Sequence, residues 1–220
     1  MNSPGVILVN TGTPLAPTSE AVRAYLREFL MDPRICPMNP ALWRFTLDSF
    51  VLPRRAPAST EKYKLIWTDE GSPLAAAMGS LAYKVNAGLE EAKVVHALTY
   101  SQPSVRDSLE VLKSAGCDRV VVVPLYPQSA HSTTKAVEGQ IQHELVSMEW
   151  TPSFEVIDGY SREATYLDAI AGSIKAAGMK QQDRLFMAFH SIPMRDVEAG
   201  DTYGVQVVQT AEAIAERLHL

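Results

Sequence analysis

Cysteine is scarce. Cys36 and Cys117 are the only two, they lie far apart, and they fit no C-x-x-C spacing, which excludes a disulfide-stapled scaffold or a zinc ribbon and reads as reduced thiols in a cytoplasmic protein. Two thiolates are also too few to hold an iron–sulfur cluster, so none is expected. No apolar run approaches the roughly 20 residues of a membrane-spanning helix, which excludes an integral membrane protein and leaves peripheral membrane contact open. Basic excess is missing as well: Lys+Arg number 20 against 25 Asp+Glu, a balance that argues against nucleic acid as a partner. Met1-Asn2-Ser3-Pro4 carries no basic flank, and Val6 to Val9 is too short for a signal-peptide core. Nor does the chain contain a G-x-G-x-x-G after its first strand, a G-x-x-x-x-G-K-[ST] or a G-x-S-x-G, so the dinucleotide fingerprint, the P-loop and the nucleophile elbow are all absent.

What is present is an ordinary globular composition, 46% hydrophobic over 220 residues, enough for one large domain or two small ones. Gly5 to Val9 is a short β-branched run that breaks at Asn10-Thr11-Gly12-Thr13-Pro14, as a buried parallel strand ending in a turn does. Thr18 or Ser19 then caps a helix in which Val22, Tyr25, Leu26, Phe29 and Leu30 recur at helical spacing. From Met31 to Pro57 the prolines Pro33, Pro37, Pro40, Pro53 and Pro57 interrupt bulky apolar residues and predict an irregular segment, too greasy for a linker. A helix follows over Ala58 to Ile66, then the turn Glu70-Gly71-Ser72-Pro73, then an amphipathic helix marked by Leu74, Met78, Leu81 and Val85.

Beyond it strands and helices alternate. Strands are expected over Lys93 to Leu98, Arg119 to Val123, Phe154 to Asp158 and Arg184 to Phe189, with helices over Ser104 to Ser114, Thr133 to Val146, Arg162 to Ala177 and Gly204 to Leu218. Five such runs separated by helices spell an α/β fold, a Rossmann-like parallel sheet with helices on both faces. Ligands of these sheets bind beyond the carboxyl ends of the strands, which singles out Asn10 to Thr13, Thr99 to Gln102, Pro124 to Thr134, Asp158 to Tyr160 and His190 to Tyr203.

Among these, His190 follows the run Leu185 to Phe189 and precedes Ser191-Ile192-Pro193. A neutral imidazole at a strand end suits a general base or a metal ligand; the same position suits a histidine satisfied by its loop backbone. His131, in the polar loop Tyr126 to Thr134, stands between ligand contact and helix capping. His96, His143 and His219 read as structural or solvated. Arg34, Arg54 and Arg55 could clamp carboxylates or be plain surface charge.

Taken in order, the motifs resemble one family. Leu8-Val9-Asn10-Thr11-Gly12-Thr13-Pro14, Ala21 to Leu26 with Phe29-Leu30, Asp32-Pro33-Arg34, Glu70-Gly71-Ser72-Pro73-Leu74, Pro124-Leu125-Tyr126-Pro127-Gln128 with Ser132-Thr133, and His190-Ser191-Ile192-Pro193 with Gly200-Asp201 and Tyr203 together resemble a ferrochelatase of the bacterial, protoporphyrin-using branch. The resemblance implies insertion of ferrous iron, as substrate, into protoporphyrin IX to give protoheme, by a lyase of heme biosynthesis with protoporphyrin and heme as partners. It implies two Rossmann-like halves around a porphyrin cleft, with an apolar lip over Met31 to Pro57. His190 takes the place of the family's metal-site residue and proton acceptor; Thr11, Arg34, Arg55, Ser72, Tyr126 and Ser132 fall in motifs that line or approach the porphyrin.

Departures are visible. Glu70 stands where a glycine is usual, Gln128-Ser129-Ala130-His131 replaces a loop with an aromatic and a cysteine, and Thr202 and Gly204 flank Tyr203 in place of prolines. Family members run on for roughly another hundred residues carrying an essential glutamate, so residues 1–150 are expected to form a complete first half with its lip and 151–220 only the start of the second. A tetrapyrrole carrier without turnover and a cobalt or nickel chelatase are the competing readings. In the lip, Leu42 and Phe45 are expected to complete the core and Met38 and Trp43 to be exposed in the cleft or on the surface. The pattern carries no signal for oligomeric state.

Overall fold

The computed structural model describes residues 3–36, 38–180 and 182–220; Met1, Asn2, Pro37 and Gln181 lie outside it. The expected α/β architecture is there. Four parallel strands, β1 (Gly5–Asn10), β2 (Lys93–Leu98), β3 (Arg119–Pro124) and β4 (Ser153–Val156), form one sheet in the order β2-β1-β3-β4. In register, Gly5 of β1 lies beside Lys93 on one side and Val120 on the other.

Strand alternation sends successive side chains to opposite faces. Leu8, Val94 and Leu98 pack with Met78 and Ala82 of α4 (Pro73–Gly88) on one face. On the other, α5 (Val105–Ser114) lies so close that a Cβ on Gly5 would come within 2.9 Å of the Leu112 side chain. Helices cover both faces, and Ile7, Val9, Leu109, Leu112, Val120 and Val122 are fully buried. α5 starts at a reciprocal capping box in which Ser104 and Asp107 satisfy each other's end of the helix.

The segment expected to be irregular is instead helical. α1 (Ser19–Met31) is followed by α2 (Pro40–Thr46), a π-helical turn (Leu47–Val51) and α3 (Leu52–Ile66). Pro40 sits in the first turn of α2, where the missing N–H costs nothing; Pro53 and Pro57 lie farther along the same continuous helical run, Pro53 directly after the π turn. The wider π turn also shifts the phase. The buried stripe runs Leu47, Leu52, Ala56, Thr60, while Leu42 and Phe45 are turned out at 58% and 63% exposure, contrary to the expected core role. Met38 is exposed as expected, at 45%; Trp43 is half-buried, its indole N–H donating to the Leu30 carbonyl at 2.7 Å.

Two compact units emerge. The first holds the residues up to Leu125 with Ala136–Ile157, so that β4 belongs to its sheet through pairing of Arg119 with Ser153. The second comprises Tyr126–Lys135 and Asp158–Leu220; there α7 (Ala164–Ala176) packs on α9 (Tyr203–Leu218), burying Leu167, Ala171, Thr210 and Ile214. α6 (Thr134–Ser147) follows the first segment of this unit, and a short α8 (Met194–Glu198) precedes α9. The expected strand at Arg184–Phe189 is a correction: these residues carry no ladder, and Phe186 is 88% exposed. A strand exists only by pairing, and among the described residues none lies beside this one.

The edge strand β2 yields a pH dependence. Burial holds the His96 imidazole below the usual histidine range, so the unfolded chain takes up that proton more readily than the folded one. The folded state therefore keeps its full stability above about pH 6.5, the unperturbed value, and loses some as pH falls below it. Thermal unfolding of the parent and of His96→Gln should diverge in that direction, the parent's Tm dropping more between about pH 7.5 and about pH 5; parallel curves would contradict the burial assigned to His96.

Candidate functional site

All four strands of the sheet point the same way, so the chain leaves each of them at one common edge. After β1 the Asn10 side-chain oxygen accepts the Thr11 N–H at 2.8 Å, and the Thr11 carbonyl accepts the Tyr100 N–H at 3.0 Å. Gly12 turns the chain at φ +119°, where a Cβ would sit 3.0 Å from that of Ser101, so glycine is required both by conformation and by space. Ser72, 6% exposed, caps α4 with its backbone carbonyl and makes no side-chain cap bond. Just before it, Thr68 and Gly71 close a turn by mutual backbone bonds, which leaves Glu70 in solvent.

Arg34 is held by a chain of contacts in the same unit. Asp32 accepts the Arg34 N–H at 2.8 Å and lies 3.6 Å from its Nη1, while the Tyr100 hydroxyl donates to the other Asp32 oxygen at 2.9 Å. The guanidinium lies across Gly139 of α6, where any Cβ would collide with Nη2. Arg55 is exposed on α3. Close to these elements, Met38, Leu42, Phe45 and Phe50 are 45–63% exposed, with Phe45 and Phe50 edge to face at 6.2 Å.

In the second unit Tyr126 and Ser132 bracket an irregular loop, both half-buried. The loop backbone is bound from elsewhere in that unit: His131 N–H donates to Asp201 at 2.7 Å and Ser129 N–H to Gln206 at 2.9 Å. The His131 ring, 42% exposed in its side chain, stands 4.0 Å from Asp201. Tyr160, at the far side of the loop, has its phenol pushed up to about 12 by burial and by Tyr166, so it stays neutral at physiological pH.

His190 is exposed, in extended backbone without a ladder rather than at the end of a strand. Its Nδ1 lies 2.6 Å from the Ser191 carbonyl. A carbonyl only accepts, so Nδ1 carries the proton and the neutral ring keeps its lone pair at Nε2. That leaves a nitrogen able to take a proton or a soft-to-borderline metal ion. Among the described residues no group of three or more His, Cys, Asp or Glu gathers as a metal site.

The contacts that support the candidate residues carry no local sequence signal. Asp32–Tyr100 and His131–Asp201 join residues 68 and 70 apart. Only the i, i+4 spacing of Gln206 and Thr210 on α9 could have marked one polar helix face.

The comparisons with known proteins give one answer. The ferrochelatase family model matches residues 3–220. The protein named ferrochelatase from Azoarcus sp. (strain BH72) is 39% identical over 221 residues, which cover 98% of this chain and 61% of that relative. The ferrochelatase of Thioalkalivibrio sulfidiphilus is 39% identical over 98% of this chain and 60% of its own length. That of Methylococcus capsulatus is 40% identical over 98% of this chain and 67% of its own. The chain thus spans 61% of the length of the first of these relatives.

Because the His190 ring, among the described residues, bonds only to the carbonyl next to it and stands in solvent, His190→Ala should leave the Tm within about 2 °C of the parent. A larger drop in thermal unfolding would make it a structural histidine.

Proposed function

Since the chain belongs to the ferrochelatase family, we propose that its residues serve the insertion of ferrous iron into protoporphyrin IX. What supports the reading most is the family match along residues 3–220, with His190 an accessible imidazole whose neutral form keeps its lone pair at Nε2 because Nδ1 faces the Ser191 carbonyl.

The reaction exchanges two pyrrole protons for one ferrous ion without change of oxidation state, so it needs a proton acceptor, a holder for the macrocycle and a partner for its propionates. His190, exposed to solvent, takes the two pyrrole protons at Nε2 one after the other and releases each to water; between proton transfers the same lone pair is the one that can face the ferrous ion. Arg34, already oriented by Asp32, and Arg55 pair with propionate carboxylates, for which a guanidinium fork is suited. Thr11, Ser72, Tyr126 and Ser132 offer hydroxyls on rigidly supported backbone. The exposed apolar side chains of α2 and the π turn form a lip that covers porphyrin and touches a membrane surface peripherally. Among the described residues no helix is long and apolar enough to cross a membrane; a cytoplasmic location belongs to this proposal.

Two measurements test it. In anaerobic heme-formation assays of the natural protein, His190→Ala should cut turnover at least about 100-fold, the worth of a general base, with protoporphyrin affinity little changed; undiminished turnover would move the proton acceptor elsewhere. In fluorescence titrations with protoporphyrin, Arg34→Ala should weaken binding about tenfold, and Gly139→Ala should reproduce that loss by displacing the guanidinium. Equal affinities in all three proteins would remove Arg34 from the porphyrin contacts.

A further inference from the structure

The loop Pro127 to His131 has no regular backbone pattern, yet its polar groups are taken up from two sides within the second unit. On one side, Gly159 adopts φ +85° and approaches so closely that a Cβ would lie 3.0 Å from the Pro127 carbonyl and 3.3 Å from the Ser129 nitrogen. Tyr160 N–H donates to that carbonyl at 2.9 Å, and the Ser129 hydroxyl donates to Asp158 at 2.6 Å.

On the other side stand Asp201 and α9. The Asp201 side chain is 2% exposed; one oxygen accepts the His131 N–H at 2.7 Å, the other the Tyr203 N–H at 2.9 Å. Gln206 accepts the Ser129 N–H at 2.9 Å and donates to the Thr202 hydroxyl at 2.9 Å. Thr210, 1% exposed, accepts from the Gln128 amide at 3.0 Å and donates to the Gln206 carbonyl at 2.8 Å.

A buried carboxylate bonded by two backbone N–H groups is a strong, directional tie, and removing it strands donors that water cannot reach. This tie joins the loop that carries Tyr126 and Ser132 to the segment that carries His190. We propose that Asp201 is a positioning residue, with Gln206 and Thr210 as its helpers: it fixes the 127–131 backbone so that Tyr126 and Ser132 meet the porphyrin in one geometry. The proposal rests on the porphyrin reading above. Irregular backbone sites need such second supports, because a loop otherwise spends its binding free energy on being ordered.

The test compares the full 220-residue chain with Asp201→Asn, which puts an amide donor against one of the two N–H groups, and with the milder Gln206→Met, which keeps the side-chain shape and leaves Asp201 in place while freeing the Ser129 N–H and the Thr202 hydroxyl. Amide hydrogen exchange at Ser129 and His131 should speed up by about tenfold or more in Asp201→Asn, and protoporphyrin affinity by fluorescence titration should fall about tenfold. Gln206→Met should lie between, at an unchanged circular dichroism spectrum. In a Tyr126→Phe, Ser132→Ala background the Asp201→Asn loss should shrink to less than about threefold, since a residue acting through these two hydroxyls cannot be additive with their loss; a purely structural role would give the full loss again. Unchanged exchange at Ser129 and His131 overturns the clasp whether or not porphyrin binds. Faster exchange with unchanged affinity, or a fully additive combined variant, overturns the positioning role. If Asp201→Asn does not fold, Gln206→Met is read by the same criteria. A parent chain that binds no protoporphyrin overturns the porphyrin reading and the positioning role with it, and the parent titration reveals this separately from the exchange data.

Discussion

Parallel pairing on both sides of β1 is the constraint from which the rest of the first unit follows. A strand flanked by two parallel neighbours cannot be joined to either by a hairpin, so each connection must cross a face of the sheet. The chain uses α1 to α4 for the first crossing, α5 for the second and α6 for the third. The crossings bury both faces and send the chain out from every strand at the same edge. Thr11, the segment beginning at Thr99 and the chain following Pro124 and Val156 all start there.

A common edge supplies places, not geometry, and the geometry comes from two aspartates. Asp32 takes the Tyr100 hydroxyl and the Arg34 backbone, which aims a guanidinium that would otherwise be an ordinary flexible surface cation. Asp201 takes two backbone N–H groups and thereby orders a loop that has no ladder of its own. Each serves the unit it belongs to. Both carboxylates are partly or wholly withdrawn from water and compensated by several donors, the condition under which burying charge is tolerable.

Strands and caps were legible where the signal is local. Lys93 to Leu98 reads as a strand and is β2 residue for residue; Ser104 reads as the start of α5 and caps it. Local signals misled where the outcome depends on phase or on a distant partner. The prolines between Met31 and Pro57 suggested breakage, but Pro40 occupies a first turn, Pro53 follows a π turn inside a continuous helical run, and that π turn separates Leu42 and Phe45 from the buried stripe that helical spacing had assigned them. Arg184 to Phe189 has strand composition without a strand beside it. For the site, the residues themselves offered His190 and the arginines only as one reading among others; the family resemblance named them with Thr11, Ser72, Tyr126 and Ser132. The contacts that hold them join residues 68 and 70 apart, a separation no periodicity records.

We propose that protoporphyrin is met by Thr11 and the 126–132 loop, which lie beyond strand ends, together with Arg34, Ser72 and the exposed His190. Chemical-shift perturbation of a 15N-labelled chain on titration with protoporphyrin tests it most directly, reading backbone amides, arginine side chains and imidazole nitrogens together. Shifts are expected at Thr11, Ser72, Tyr126, Ser132, the Arg34 guanidinium and Nε2 of His190. Shifts confined to the groove along β2 that is lined by Asn86, His96 and Val111, with these residues silent, would contradict it.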